Sequence, residues 1–360
     1  MKETILDALK AAYKLDADTL VASRFGSGHI HKTFKVESNT QSFILQEFND
    51  TVFKYPERIS NNLGYLLDNF DPANIPFVLP LPIPNQNGGL FTELDGGLYR
   101  LFPFVNGVTR DDIDEKEQAS KAAEAFAYFV LVFLSTDSDQ LQDTIQDFHH
   151  LEWRYNQFDE ALKAPAIEIN DETREMIAYY EARKEILEQY GAYRSQLPLR
   201  ATHNDTKINN LIFSEDLKKV NAVIDLDTIM AGFVFYDFGD LARTVACTRD
   251  ESSLDWGEIK IDMLKYEGLL EGFYSVLAGH ITEEELNSLP FGAEMMTLIM
   301  GLRFLTDHLK GNIYYQVDYV EQNLHRSKNQ AELLTAFMEK RQEIKTLETK
   351  LKKKFLWSIK

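Results

Sequence analysis

Residues 3–13 place Ile5, Leu6, Leu9, Ala12 and Tyr13 at helical spacing, which predicts a short leading helix. A strand rhythm follows. Leu20 to Phe25 and Thr33 to Val36 flank a Gly26-Ser27-Gly28 turn, and Phe43 to Phe48 comes after a polar Asn-Thr-Gln turn. A further pair, Leu90 to Glu93 and Leu98 to Phe102, is separated by Asp95-Gly96-Gly97, a strong hairpin signal because such residues accept positive φ. With one helix over Pro56 to Asn69, residues 1–106 predict a mostly antiparallel, β-rich N-lobe.

Beyond Gly107 the pattern turns helical. Residues 115–135, 151–163, 171–190, 256–278, 291–310 and 323–354 are long helix-favouring segments with few prolines. Thr282 with Glu285 forms a capping box that opens another helix. Residues 198–240 form a non-helical island, with short strands at Leu211 to Phe213 and Ala222 to Leu226. The last segment carries Leu333, Phe337, Ile344, Leu347, Leu351 and Phe355 along one face, and Lys352-Lys353-Lys354 suit the negative end of its dipole. The expected architecture is therefore α+β. A small antiparallel N-lobe (1–106) joins, through a connector near 101–107, a larger helical C-lobe (107–360) with the island embedded in it.

Composition narrows the classes of partner. Hydrophobic content of 44% and charged content of 26% are those of a globular protein. Acidic residues outnumber basic ones, 57 to 38, for a net charge of −19. Such a surface repels nucleic acid and anionic lipid, so small molecules are the expected partners. The longest apolar run, Ala125 to Leu134, has ten residues, and a membrane span needs about 20. Cys247 is the sole cysteine, so no intrachain disulfide can form. Met1-Lys2-Glu3-Thr4 leads into a polar amphipathic stretch and not an apolar leader. A cytoplasmic monomer or dimer is expected.

The island holds the chemistry. It reads His203-Asn204-Asp205-Thr206-Lys207-Ile208-Asn209-Asn210, then Val223-Ile224-Asp225-Leu226-Asp227. Phosphoryl transfer needs a carboxylate for the attacking hydroxyl, oxygen ligands for Mg²⁺ and a cation for the moving phosphoryl. Asp205 can face the hydroxyl, Lys207 can reach the γ-phosphate, and Asn210 can turn back toward the metal. Asp225, ending an apolar strand, completes an oxygen-donor site of the kind hard Mg²⁺ prefers. His203 is expected to be a hydrogen-bonded scaffold residue. The Gly26-Ser27-Gly28 turn can bring backbone N–H groups to phosphates, although it lacks the third glycine of the protein-kinase loop. His149-His150 has no companion ligands at metal-binding spacing.

At these residues the chain resembles the aminoglycoside phosphotransferase and choline kinase group, a family with a protein-kinase-like fold. Within that group it is similar to the bacterial N-acetylhexosamine 1-kinases. The resemblance spans roughly residues 25–330. It rests on Gly28-His29-Ile30, Phe43-Ile44-Leu45-Gln46, Thr202 to Lys207, Ile224-Asp225-Leu226-Asp227-Thr228-Ile229-Met230, Asp237-Phe238-Gly239-Asp240, Gly301 to Leu305 and Gly311 to Tyr314. It implies ATP- and Mg²⁺-dependent phosphorylation of the anomeric hydroxyl of N-acetylglucosamine or N-acetylgalactosamine. Asp205 would be the catalytic carboxylate that also binds the sugar, assisted by Lys207, with Asn210 and Asp225 as metal ligands. His29, Arg303 and Tyr314 would line the sugar pocket. The nucleotide would meet Gly26, Ser27, Gly28, Lys32, Gln46 and the connector aromatics Phe102 and Phe104. Gln46 departs from the wider pattern, because that strand position usually carries a phosphate-binding lysine. Two alternatives stay open: a phosphotransferase for an aminoglycoside, choline or homoserine, and a silent kinase-like nucleotide scaffold.

Overall fold

In the computed structural model, which describes residues 3–15, 20–26 and 31–356, the β-rich half is a five-stranded antiparallel sheet. Strands β1 (Val21–Arg24), β2 (Lys32–Glu37), β3 (Ser42–Glu47), β4 (Thr92–Leu94) and β5 (Gly97–Pro103) lie in the order β1-β2-β3-β5-β4. The β4–β5 hairpin turns on Asp95 and Gly96, at φ 48° and 77°, the left-handed pair its sequence predicts. Helix α1 (Glu3–Tyr13) buries Ile5, Leu9 and Tyr13 with Val36, Phe43, Leu45 and Leu101 of the sheet. Leu45 pairs with Leu101, and the next pair is Gln46 with Arg100. Because successive strand residues alternate faces, Gln46 and Arg100 turn away from the α1 core and toward the rest of the molecule.

The remainder is mostly helical: α2 (Pro56–Asp68), α3 (Lys116–Val132), α4 (Leu151–Lys163), α5 (Asp171–Glu181), α6 (Lys184–Gln196), α7 (Val234–Val245), α8 (Met263–Leu277), α9 (Glu283–Leu309) and α10 (Gln322–Phe355). Helix α3 packs on α8, and α9 receives both α7 and α10. The α7–α9 crossing is close because it is glycine on both sides. A Cβ on Gly239 would lie 2.1 Å from the Gly292 carbonyl oxygen, and one on Gly292 would lie 2.1 Å from that of Phe235. Phe126 and Phe129 of α3 are fully buried, each contributing about 1.5–3 kcal/mol.

Four expectations need correction. The non-helical island is shorter than expected, since its last residues begin α7. Val234, Phe238, Leu241, Ala242 and Val245 do carry helical spacing, which Gly239 in their midst obscures. The segment 171–190 is two helices that break at Ala182-Arg183, without proline or glycine, so packing sets that break. The Thr282 capping box forms as expected, but the helix it opens runs straight through Pro290 into the next predicted segment. Residues 256–278 yield α8 only from Met263, where the Asp262 carboxylate accepts the N–H groups of Leu264 and Lys265. No helix among the described residues is long and apolar enough to cross a membrane.

Candidate active site

Two short antiparallel ladders force the island's loops together. Strand β6 (Arg200–Thr202) pairs with β9 (Met230–Gly232), and β7 (Leu211–Phe213) pairs with β8 (Val220–Val223). Thr202 lies opposite Met230, and Leu211 opposite Val223. Residues 203–210 and 224–229 are thus the two spans between the same ladders, and they must run side by side. Cross-bonds fix them: Ile224 N–H donates to the Asn210 carbonyl at 2.9 Å, and Thr228 Oγ1 donates to the His203 carbonyl at 2.8 Å. The expected strand Ala222 to Leu226 stops at Val223 because Asp225 is left-handed, at φ 61° and ψ 58°.

Asp205, Lys207 and Asn210 converge as the spacing predicts. Lys207 Nζ is 3.3 Å from Asp205 Oδ1. Asn210 Nδ2 donates to the Asp205 carbonyl oxygen at 2.7 Å and to its Oδ2 at 3.2 Å. Burial pushes the Asp205 carboxyl up, but the charge of Lys207 and the hydrogen bonds from Lys207 and Asn210 outweigh it and hold the group below the usual carboxylate range. Lys207 is correspondingly raised, chiefly by Asp205. Asp225 is displaced the other way, to about 7, by desolvation and then by the charges of Asp227 and Asp205. Its residue opens onto solvent, so water screens part of that crowding.

The loop's backbone is held from behind. Asp237, in the first turn of α7 and fully buried, accepts the N–H of His203 at 2.9 Å and of Asn204 at 2.8 Å. Its own carbonyl accepts from Thr206 Oγ1 at 2.6 Å. His203 bridges the two loops: Nε2 meets the Ile224 carbonyl at 2.9 Å, while Nδ1 accepts the Asp205 N–H at 3.3 Å. That pattern fixes the Nε2–H tautomer. Phe126 and Phe129 present their edges to its ring, at 5.3 and 5.7 Å.

From the N-lobe side, sequence reasoning missed the residue that meets this loop. Arg100 NH1 and NH2 donate to Asp227 at 2.5 and 2.7 Å, and NH2 also donates to Gln46 Oε1. His31 Nε2 lies 3.0 Å from Asp227 Oδ2, and its Nδ1 accepts the Asn49 N–H at 2.9 Å. Burial raises the Asp227 carboxyl, but Arg100 and then His31 pull it far below the carboxylate range. A lone arginine in an otherwise apolar strand offers no spacing signal: the β3–β5 register sets it opposite Gln46, and only the tertiary fold brings it to Asp227. Lys32 is half-exposed and paired with Glu47 at 2.6 Å. The Phe104 ring takes the Lys35 ammonium at 4.7 Å and the edge of Phe25 at 5.9 Å, while Phe102 flanks Arg100. Gly26 has φ 74° in the β1–β2 connection. Ser27, Gly28 and His29 lie outside the described residues.

On the C-lobe side, a layer of rings runs from the 203–210 loop to Arg303. His149 Nε2 meets the Asn204 carbonyl at 2.8 Å, and its ring lies 4.2 Å from that of Phe148. Burial pulls the His149 imidazole down to about 4, so it is neutral. His150 instead caps α4, its Nδ1 accepting the Trp153 N–H. The Arg303 guanidinium sits over Phe148, Tyr314 and Tyr315, at 5.3 to 5.9 Å, and has no carboxylate partner among the described residues. Arg154, nearby, is drawn down to about 9 by burial and then by the charge of Arg303. Asp307, one turn beyond Arg303 on α9, accepts the N–H groups of Ile313, Tyr314 and Tyr315 at 2.9 to 3.0 Å.

The donor set suits a hard divalent cation. Asn210 spends its Nδ2 on Asp205, which leaves the amide oxygen as its free ligand atom, and Asp225 offers a carboxylate crowded by like charge. Among the described residues no three His, Cys, Asp or Glu side chains form a self-sufficient metal cluster. Mg²⁺ does not require one, because it keeps waters and takes phosphate oxygens alongside one or two protein ligands.

Comparison with known proteins follows the same line. The model of a family described as phosphotransferase enzymes matches residues 21–259. A microcompartment-associated aminopropanol kinase superposes with a TM-score of 0.66 at 17% identity, covering 94% of this chain and 98% of its own. An ADP-bound aminoglycoside phosphotransferase gives 0.57 at 16%, with 93% and 99% covered. Choline kinase from Cryptosporidium parvum Iowa II gives 0.58 at 13%, with 95% and 96% covered. At such identities the shared property is the kinase-like fold.

Proposed function

Because the chain belongs to the phosphotransferase enzyme family, we propose that it transfers the γ-phosphoryl group of ATP to the anomeric hydroxyl of N-acetylglucosamine or N-acetylgalactosamine, giving the sugar 1-phosphate and ADP. The observation that carries the choice of acceptor is Arg303. Its guanidinium lies among Phe148, Tyr314 and Tyr315 without a carboxylate counter-ion among the described residues, and it joins the catalytic loop through His149. A neutral acceptor with a carbonyl to receive that donor fork and a flat face for the tyrosine suits this wall. An amine-bearing acceptor such as choline, aminopropanol or an aminoglycoside would meet Arg154 and Arg303 instead. Asp240 and Glu251, whose charges reach Lys207, are already paired with Arg243 at 3.0 and 2.5 Å.

In this mechanism Asp205, anionic at neutral pH, accepts a hydrogen bond from the anomeric hydroxyl and orients its lone pair toward the γ-phosphorus. As the new O–P bond forms, the bond from the γ-phosphorus to the β–γ bridging oxygen breaks, ADP departs and the hydroxyl proton passes to Asp205. Lys207 keeps Asp205 ionised beforehand and offers its ammonium to the phosphoryl oxygens. Asn210 and Asp225 would hold Mg²⁺, which when bound neutralises nucleotide phosphate charge.

Phosphorus NMR of the product from N-acetylglucosamine tests the reading. The expected product is a 1-phosphate, and the 1-O-methyl glycoside is expected to give none. Equal turnover of that glycoside would sink the assignment. Asp205→Asn should lower turnover by about 10²-fold or more while nucleotide affinity persists. A parent protein with no turnover on any acceptor would favour the scaffold instead.

A further inference from the structure

Gln46, on the face of β3 turned toward the rest of the molecule, is uncharged. The cation stands one strand over. Arg100, opposite Gln46 on β5 and 1% exposed, grips both oxygens of Asp227 and the side-chain carbonyl of Gln46. A guanidinium is planar, with its donors in a fixed fork. With both terminal nitrogens committed to Asp227, Arg100 is not free to swing onto a nucleotide phosphate as a flexible lysine would. Its plane is hemmed by Phe48, Phe91 and Phe102, at 4.8 to 5.2 Å. His31, stacked on Phe48 and Phe53, meets Asp227 Oδ2, the oxygen that Arg100 NH2 also holds. The loop that carries Asp225 is therefore tied to the N-lobe sheet two residues downstream of its left-handed turn.

We propose that Arg100 is the positioning residue of the phosphate and metal site: it holds Asp227, and through it the Asp225 turn, in the geometry that receives a magnesium–nucleotide complex. Gln46 is the acceptor that aims Arg100. A lysine on this strand would place its charge on the nucleotide, whereas here the charge is given to the metal-binding loop. The inference rests on the phosphotransferase reading of the site but not on the identity of the acceptor.

The test is calorimetric binding of ADP, with and without excess Mg²⁺, and with no acceptor present. Arg100→Lys keeps the charge and loses the fork. It should lower the Mg²⁺-dependent gain in ADP affinity about 10-fold, in the range seen when residues behind metal ligands are changed, while metal-free ADP affinity stays within about 2-fold. Gln46→Leu, which leaves every charge in place, should lower the same gain by about 3-fold and melt with the parent. Asp227→Asn should make Arg100→Lys nearly silent in the double variant. A parental Mg²⁺-dependent gain in both single variants would overturn the proposal. So would an equal loss with and without metal, which marks direct nucleotide contact or a purely structural role. Failure of sugar phosphorylation would not disturb these measurements, so the two ideas fall separately.

Discussion

Asp225 combines backbone strain with charge crowding. A left-handed turn costs a non-glycine residue about 1 kcal/mol, and flanking bonds, from the Ile224 N–H to the Asn210 carbonyl and from Thr228 Oγ1 to the His203 carbonyl, hold it there. Its carboxyl is raised from 3.8 to about 7. Between those values the folded chain binds the extra proton, so this group erodes stability as pH rises from about 4 to about 7. Asp225→Asn should remove that erosion. The variant should gain on the parent between pH 5 and pH 8 in thermal denaturation, by less than about 1 kcal/mol because the residue opens to water. A variant that loses ground over that range would contradict the crowding. Asp205, Lys207, Asn210 and Asp225 were legible because they share one short loop-and-strand pattern. Arg100, Asp237 and Asp307 were not, since each acts on a partner far away in sequence.

The 311–321 connection between α9 and α10 depends on one buried side chain. Arg303 and Asp307 are four residues apart and so share a helix face. Asp307 gathers three successive backbone N–H groups and the Asn323 amide, at 2.9 Å, and thereby sets Tyr314 beside Arg303. Asp307→Ala leaves those donors unsatisfied, at about 1–3 kcal/mol each if they stay buried. The expected kinetic result is an acceptor KM raised about 10-fold or more with nucleotide KM within about 2-fold. A shift in nucleotide KM alone would detach this loop from the acceptor site. Element identity was mostly readable in the pattern, but ends and breaks were not. The break between α5 and α6 falls where α5 packs on α9 and α10 and α6 packs on α9, and α9 runs through Pro290 packed between α7 and α10.

At the scale of the molecule, the proposed function requires that a chain of net charge −19 admit an anionic nucleotide. Salt screens that repulsion over a Debye length of about 10 Å at 0.1 M. The association rate of a fluorescent ADP analogue with Mg²⁺ should therefore rise about 2-fold or more from low to physiological ionic strength, read by stopped flow. A falling rate would mean that the local field of Lys207 and its neighbours outweighs the surface. The sequence by itself determined the two-lobed α+β plan and the closeness of Asp205, Lys207 and Asn210 in one loop, because periodicity and short motifs are local properties. Tertiary structure alone decided what stands behind them: Arg100 facing Asp227, Asp237 under the loop, and Arg303 among Phe148, Tyr314 and Tyr315. Strand register and helix crossing bring together residues that no spacing along the chain relates.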